Sequence, residues 1–127
     1  MKAGRELDAL VATEMGWTAV YAEHAYQQWE YGDPGMWEAE TGRGVGIPPG
    51  GIYKRPFPRY STSIAAAWEV VEKMCEDGDV FIENWQDGEW TVSTKPLGFR
   101  DNGVVVSALT APHAICLAAL RASGVDV

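Results

Sequence analysis

The 127-residue chain is 46% hydrophobic and 22% charged, an ordinary globular composition, and its length suits a single domain over residues 1–127 with one core. Its formal charge of −8 argues against binding duplex nucleic acid, since that affinity comes from neutralising phosphates with a broad positive face. The longest weakly polar run, around Val104 to Leu120, is broken by Ser107, Pro112 and His113 and gives no membrane span.

Met1 to Glu6 lead directly into an amphipathic helix, without an apolar stretch of signal-peptide length, so cytoplasmic residence is expected. That helix is predicted over residues 5–15, with Leu7, Leu10, Val11 and Met15 as its stripe and Gly16 as terminator. Residues 17–31 fit two periods: Trp17, Tyr21, Tyr26, Trp29 and Tyr31 suit strands, while Val20, Tyr21, His24, Ala25 and Gln28 suit a helix. Extended structure departing from the main sheet is the expectation. Residues 32–59 carry seven of the 14 glycines and five of the seven prolines, which predicts a long loop with little regular structure. The whole aromatic, Gly- and Pro-rich segment at about 17–60 is therefore expected to be irregular.

A second helix is predicted from Ser63 to about Glu76, with Ser61 and Thr62 as good N-cap residues. Ile64, Ala67, Trp68, Val71 and Met74 or Cys75 form its apolar side, opposite Glu69, Glu72 and Lys73. Val80–Trp85 and Trp90–Thr94 read as a hairpin around the Asp87-Gly88 turn, and Gly103–Leu109 as a third strand. Thr110 caps a last helix with Pro112 in its first turn; Ile115, Cys116, Leu117, Ala119 and Leu120 leave it apolar on nearly every side. Cys75 and Cys116, each on the apolar side of a helix, are expected to be buried free thiols. The pattern predicts an α+β fold, a small and mainly antiparallel sheet flanked by helices.

Three segments resemble the Phage ABA sandwich domain family of small phage and prophage proteins. They are Gly4-Arg5-Glu6-Leu7-Asp8-Ala9-Leu10-Val11-Ala12 with Met15-Gly16-Trp17, the run Tyr60 to Lys73, and Thr110 to Leu120. They occur in the family's order; at position 63 the chain has Ser where the family often has Asp, and both residues can start a helix. The resemblance implies a phage or prophage origin, hence the cytoplasm of a bacterial host, and an αβα sandwich-like fold. It brings no catalytic residues.

Catalytic chemistry has little to stand on. His24 and His113 lie in different segments, and no Ser or Cys comes with a nucleophile context. No His-x-x-x-His or Cys-x-x-Cys spacing is present, so neither metal nor cofactor is expected. Glu83, Asp87 and Glu89 read as solvated hairpin charges. Gly42-Arg43-Gly44-Val45-Gly46 precedes Ile47-Pro48-Pro49 rather than a helix, so it fails as a phosphate loop and reads as a flexible loop.

One local asymmetry stands out. Four of the ten basic residues, Arg43, Lys54, Arg55 and Arg59, fall between positions 43 and 59, interleaved with Tyr53, Phe57 and Tyr60. Arginine forks suit phosphate and carboxylate, and aromatic faces stack on bases. These seven residues are the candidate ligand site; the competing account has the bases answering an acidic surface and the aromatics covering the core edge. The leading expectation is a non-enzymatic phage accessory protein that binds a small anionic, nucleotide-like host signal in anti-defence. The alternative is a protein-interaction module acting on a host or phage protein through its aromatic, acidic surface. Nine of the 14 aromatic residues lie between Trp17 and Tyr60, more than one small core absorbs, so self-association as a dimer is also expected.

Overall fold

The computed structural model describes residues 1–21, 44–96 and 103–127. Helix α1 (Arg5–Glu14) turns Leu7, Asp8, Val11 and Ala12 inward. It stops at Gly16, whose φ of 98° is left-handed, with Trp17 N–H donating to Ala12 O and Gly16 N–H to Thr13 O. This paired closure satisfies two carbonyls that the helix leaves open. Three short strands follow in the described residues: β1 (Thr18–Tyr21), β2 (Val45–Ile47) and β3 (Arg55–Pro56), an antiparallel sheet in the order β1-β2-β3. The segment expected to be irregular therefore contributes a small sheet of its own, separate from the larger one. The register of β1 against β2 shifts between Thr18 and Tyr21, where Ala19 has a φ of 49°.

Helix α2 (Ile64–Cys75) is capped by Ser63, whose Oγ accepts the Ala66 N–H at 3.4 Å. The cap is thus Ser63 rather than Ser61 or Thr62. Ser61 is buried and does something else: its N–H donates to Asp8 Oδ1 at 2.7 Å, and its Oγ accepts the Gly4 N–H at 2.8 Å. Those bonds fasten the entry of α2 to the start of α1. The buried face of α2 also differs from the predicted stripe, being Ala67, Val70 and Val71, with Ile64, Trp68 and Cys75 exposed. More than one face of this helix is apolar, and its packing against α3 and β4 decides which arc is covered.

The second sheet is antiparallel in the order β4-β5-β6, from β4 (Gly78–Asn84), β5 (Trp90–Pro96) and β6 (Val105–Ala108). Its turn keeps the expected chemistry: Gly88 takes a φ of 89° and donates to Trp85 O, and Trp85 N–H donates back to Glu89 O. The alternation places Val92 of β5 and Val106 of β6 in the core cluster, with Val80 and Ile82 of β4 partly buried against it. Helix α3 (Ala111–Ala122) lies against β5 and β6, with α1 and α2 also packed on it. Its cap is Thr110, its Pro112 is in the first turn, and its residues 114–120 are all buried. At its end Val125 N–H reaches Leu120 O and Gly124 N–H reaches Arg121 O, with Gly124 at φ 88°. The α+β class and the helix-flanked antiparallel sheet expected from sequence are what the chain builds. No helix among the described residues is long and apolar enough to cross a membrane.

Candidate binding surfaces

The basic aromatic stretch is divided by the fold. Phe57, 2% exposed, packs edge-to-face on Trp17 with ring centroids 6.4 Å apart and planes at 85°. Tyr60 is equally buried, and burial first, then the neighbouring Glu69, Cys116 and Asp8, push its hydroxyl up to about 12, against a hydrogen bond with Trp17 that works the other way. Lys54, 8% exposed, holds its ammonium 4.4 Å from the centre of the Tyr21 ring, a cation–π contact. Tyr53, Arg55 and Arg59 are exposed, and Arg43 lies outside the described residues. Of the seven candidates, two are core aromatics and one base is seated on an aromatic face. Three remain available to a ligand.

The packing explains this division. Gly44 is buried, and a Cβ there would run into the Phe57 ring and the Tyr21 carbonyl, so only glycine fits. Phe57 N–H donates to Gly44 O at 3.2 Å, so the aromatic ring and the glycine backbone are a matched pair. A Cβ on Gly46 would be tight, though not overlapping, against Val20 and the Thr18 carbonyl. The described part of the glycine-rich run, Gly44 to Gly46, expected to be a flexible loop, instead leads into β2, and Gly44 and Gly46 permit close strand approach.

The remaining sequence candidates take structural places. His113 is half-buried, and its Nε2 is 2.8 Å from Met1 O, which ties the start of α3 to the N-terminal segment. His24 lies outside the described residues. Cys116 is fully buried, and burial followed by the charge of Asp8 drives its thiol pKa upward. Glu83 and Asp87 are exposed on the hairpin and Glu89 half-buried. Among the described residues, no group of three His, Cys, Asp or Glu side chains is placed to hold a metal ion.

The sequence reading passed over the outer face of β4-β5-β6. Phe81, Ser93 and Val105 are register partners across the three strands, so they form one row. Phe81 is 51% and Val105 67% exposed, either side of the small Ser93. In the next row Thr91 opposes Ser107, with their hydroxyls 3.0 Å apart, and Trp85 Nε1 donates to Thr91 Oγ1 at 2.8 Å. The indole is thereby held at the hairpin end of the face while remaining 53% exposed. Leu109, just after β6, is 82% exposed. The signal was present in the sequence as apolar residues at the outward positions of an alternating strand.

Comparison with known proteins follows the same lines as the fold. The model of the Phage ABA sandwich domain matches residues 9–120. A crystal structure of a phage protein from Bacillus cereus superposes with a TM-score of 0.65 at 25% identity, covering 100% of this chain and 92% of that one. No curated protein matches the sequence.

Proposed function

The chain belongs to the Phage ABA sandwich domain family, and on that premise we propose that it is a phage accessory protein that works by binding a partner protein rather than by catalysis. The observation that carries this reading is the outer face of β4-β5-β6, where Phe81, Trp85 and Val105 stand half or more exposed. Isolated exposed apolar residues need no explanation, but here a row of them lies beside a Trp85–Thr91–Ser107 hydrogen-bonded chain that holds the indole in place, which lowers the ordering entropy lost on binding. Phe and Trp are also the residues that anchor interfaces. Asp79, Glu83 and Asp87 accompany them on β4 and its turn in a protein of net charge −8. A partner with a basic, partly apolar surface is the matching chemistry, and acidic charge speeds its encounter.

Affinity capture from host lysate tests this, with wild-type protein beside a Phe81→Ser/Val105→Thr variant. A protein retained by the wild type and lost from the variant supports the reading; identical captures from both overturn it. A second copy of the chain is the competing occupant, and a concentration-dependent dimer by sedimentation that the same variant abolishes would assign the face to self-association.

A second reading, capture of a small nucleotide-like anion in anti-defence, rests on the exposure of Tyr53, Arg55 and Arg59 within seven residues of chain. Mass spectrometry of small molecules released from denatured protein tests it. A nucleotide recovered from the wild type and absent from Arg55→Ala/Arg59→Ala supports it, and an empty wild type removes it.

A further inference from the structure

The last turns of α2 and α3 meet at the end of the larger sheet where β4 begins and β5 finishes, and they leave a cavity of about 200 Å3. Buried Ala119, half-buried Met74 and exposed Ala122 give it an apolar lining, and Thr94 and Ser123 add hydroxyls. A narrow annex of about 40 Å3 continues from it towards α1, past Val70 and Met15, sharing Met74, Asp77, Ala119 and Ser123 with the main space. At about 30 Å3 per water, the main cavity has room for roughly seven solvent molecules, about the bulk of one long flexible side chain.

Three features fix the sign of the charge that fits. Both helices end here, and a helix C-terminus carries roughly half a negative charge. Asp77 and Asp79 line the main cavity against Lys95 alone, and Glu14 and Lys73 offset each other in the annex. Asp79 faces Lys95 as its register partner across β4 and β5, and Asp77 is exposed beside them, so the lining keeps an excess of negative charge at its rim. An anion would face two helix C-termini and two aspartates. A cation on an apolar stem meets complementary charge at the rim and CH2-sized space beneath.

We propose that this cavity takes the side chain of a lysine from a partner polypeptide, its ammonium between Asp77 and Asp79 and its alkyl stem over Met74, Ala119 and Ala122. The site deepens the reading that the partner is a basic protein and rests on it for the origin of the lysine. Asp79 opposes Lys95 on β4 and β5, one outward-facing row from the Phe81–Ser93 pair of the same strands, so cavity and outer face lie within reach of one partner surface. No local pattern signals the cavity, because it is assembled from three separate segments, residues 74–79, 94–95 and 119–123, that only the fold brings together.

The test uses the intact chain and Nα-acetyl-lysine N-methylamide as probe, beside its uncharged norleucine counterpart, followed by NMR of the Ala119, Ala122 and Met74 methyls. Shifts confined to these methyls and to Thr94 are expected with the lysine probe and not with norleucine. Asp77→Asn/Asp79→Asn, at exposed positions, should weaken binding roughly tenfold, the factor for a lost charge-assisted contact. Ala122→Leu should abolish it by filling the space. Equal response to both probes, no response, or unchanged binding by the Asn variant would overturn the site. Tighter binding of free 1,5-diaminopentane than of the lysine probe would overturn the polypeptide origin. Because the probe needs no partner, failure here is distinct from failure of the capture experiment, which is read through Phe81 and Val105.

Discussion

The two three-stranded sheets are both antiparallel, and they are held by different forces. Strands β4 and β5 run seven residues each, pair in unbroken register from Gly78↔Pro96 to Asn84↔Trp90, and are joined by a short turn. Strands β1, β2 and β3 have four, three and two residues, and their pairing is interrupted at Ala19. Ladder bonds so few cannot hold three strands together against chain entropy. What holds the smaller sheet is side-chain fit: Phe57 under Gly44 and against Trp17, and Lys54 over Tyr21. A sheet built on local register tolerates surface change, whereas one built on a few interlocked residues is vulnerable at each of them.

Phe57→Ala is the largest test of that difference. Truncating a buried Phe costs about 3–5 kcal/mol, and hydrogen exchange should show β1–β3 amides opening while β4 and β5 stay protected. Loss of protection in both sheets together would mean that they form one cooperative unit, and the contrast would fail.

Alkaline titration bears on the same side of the molecule. Tyr60 and Cys116 are harder to ionise in the fold than in the unfolded chain, where they titrate near 10.0 and 9.0. The unfolded chain therefore releases protons first as pH rises, and stability must fall. Their contribution is intact below about pH 9; Tyr60's loss accumulates between 10.0 and about 12 and reaches on the order of 2 kcal/mol. Urea midpoints should drop across that interval, and Tyr60→Phe should flatten the drop. A midpoint constant to pH 11 would count against the buried environment of Tyr60.

Gly44→Ala should cost about 1–3 kcal/mol, the range for overpacking, because the added methyl overlaps the Phe57 ring and the Tyr21 carbonyl. The double variant Gly44→Ala/Phe57→Leu should recover part of it; a cost that persists unchanged would place the clash at the carbonyl instead of the ring.

Gly88→Ala in the larger sheet is the smallest effect, about 1 kcal/mol, from placing a side chain at a φ of 89°. Nothing lies within 4 Å of the added Cβ, so the backbone alone is being tested. A loss as large as that of Phe57→Ala would show that the hairpin too depends on single residues.

Local chemistry determined the elements whose signals are complete within a dozen residues. Gly16 and Gly124 end their helices in left-handed backbone, Thr110 caps α3, and Asp87-Gly88 turns the β4–β5 hairpin. The family, too, was legible in three short segments, because they encode helix starts and packing faces. Tertiary structure decided what needed a partner from elsewhere in the chain. The buried arc of α2 was chosen by α3 and β4 from an excess of apolar residues, so Trp68 ended outside and Val70 inside. Ser61 became a tie to Asp8 and Gly4 because α1 is packed beside it, which no local hydroxyl preference reveals. Phe57, Tyr60 and Lys54 left the predicted ligand site for the same reason: composition brings bases and aromatics together in sequence, but burial assigns each by what surrounds it in space.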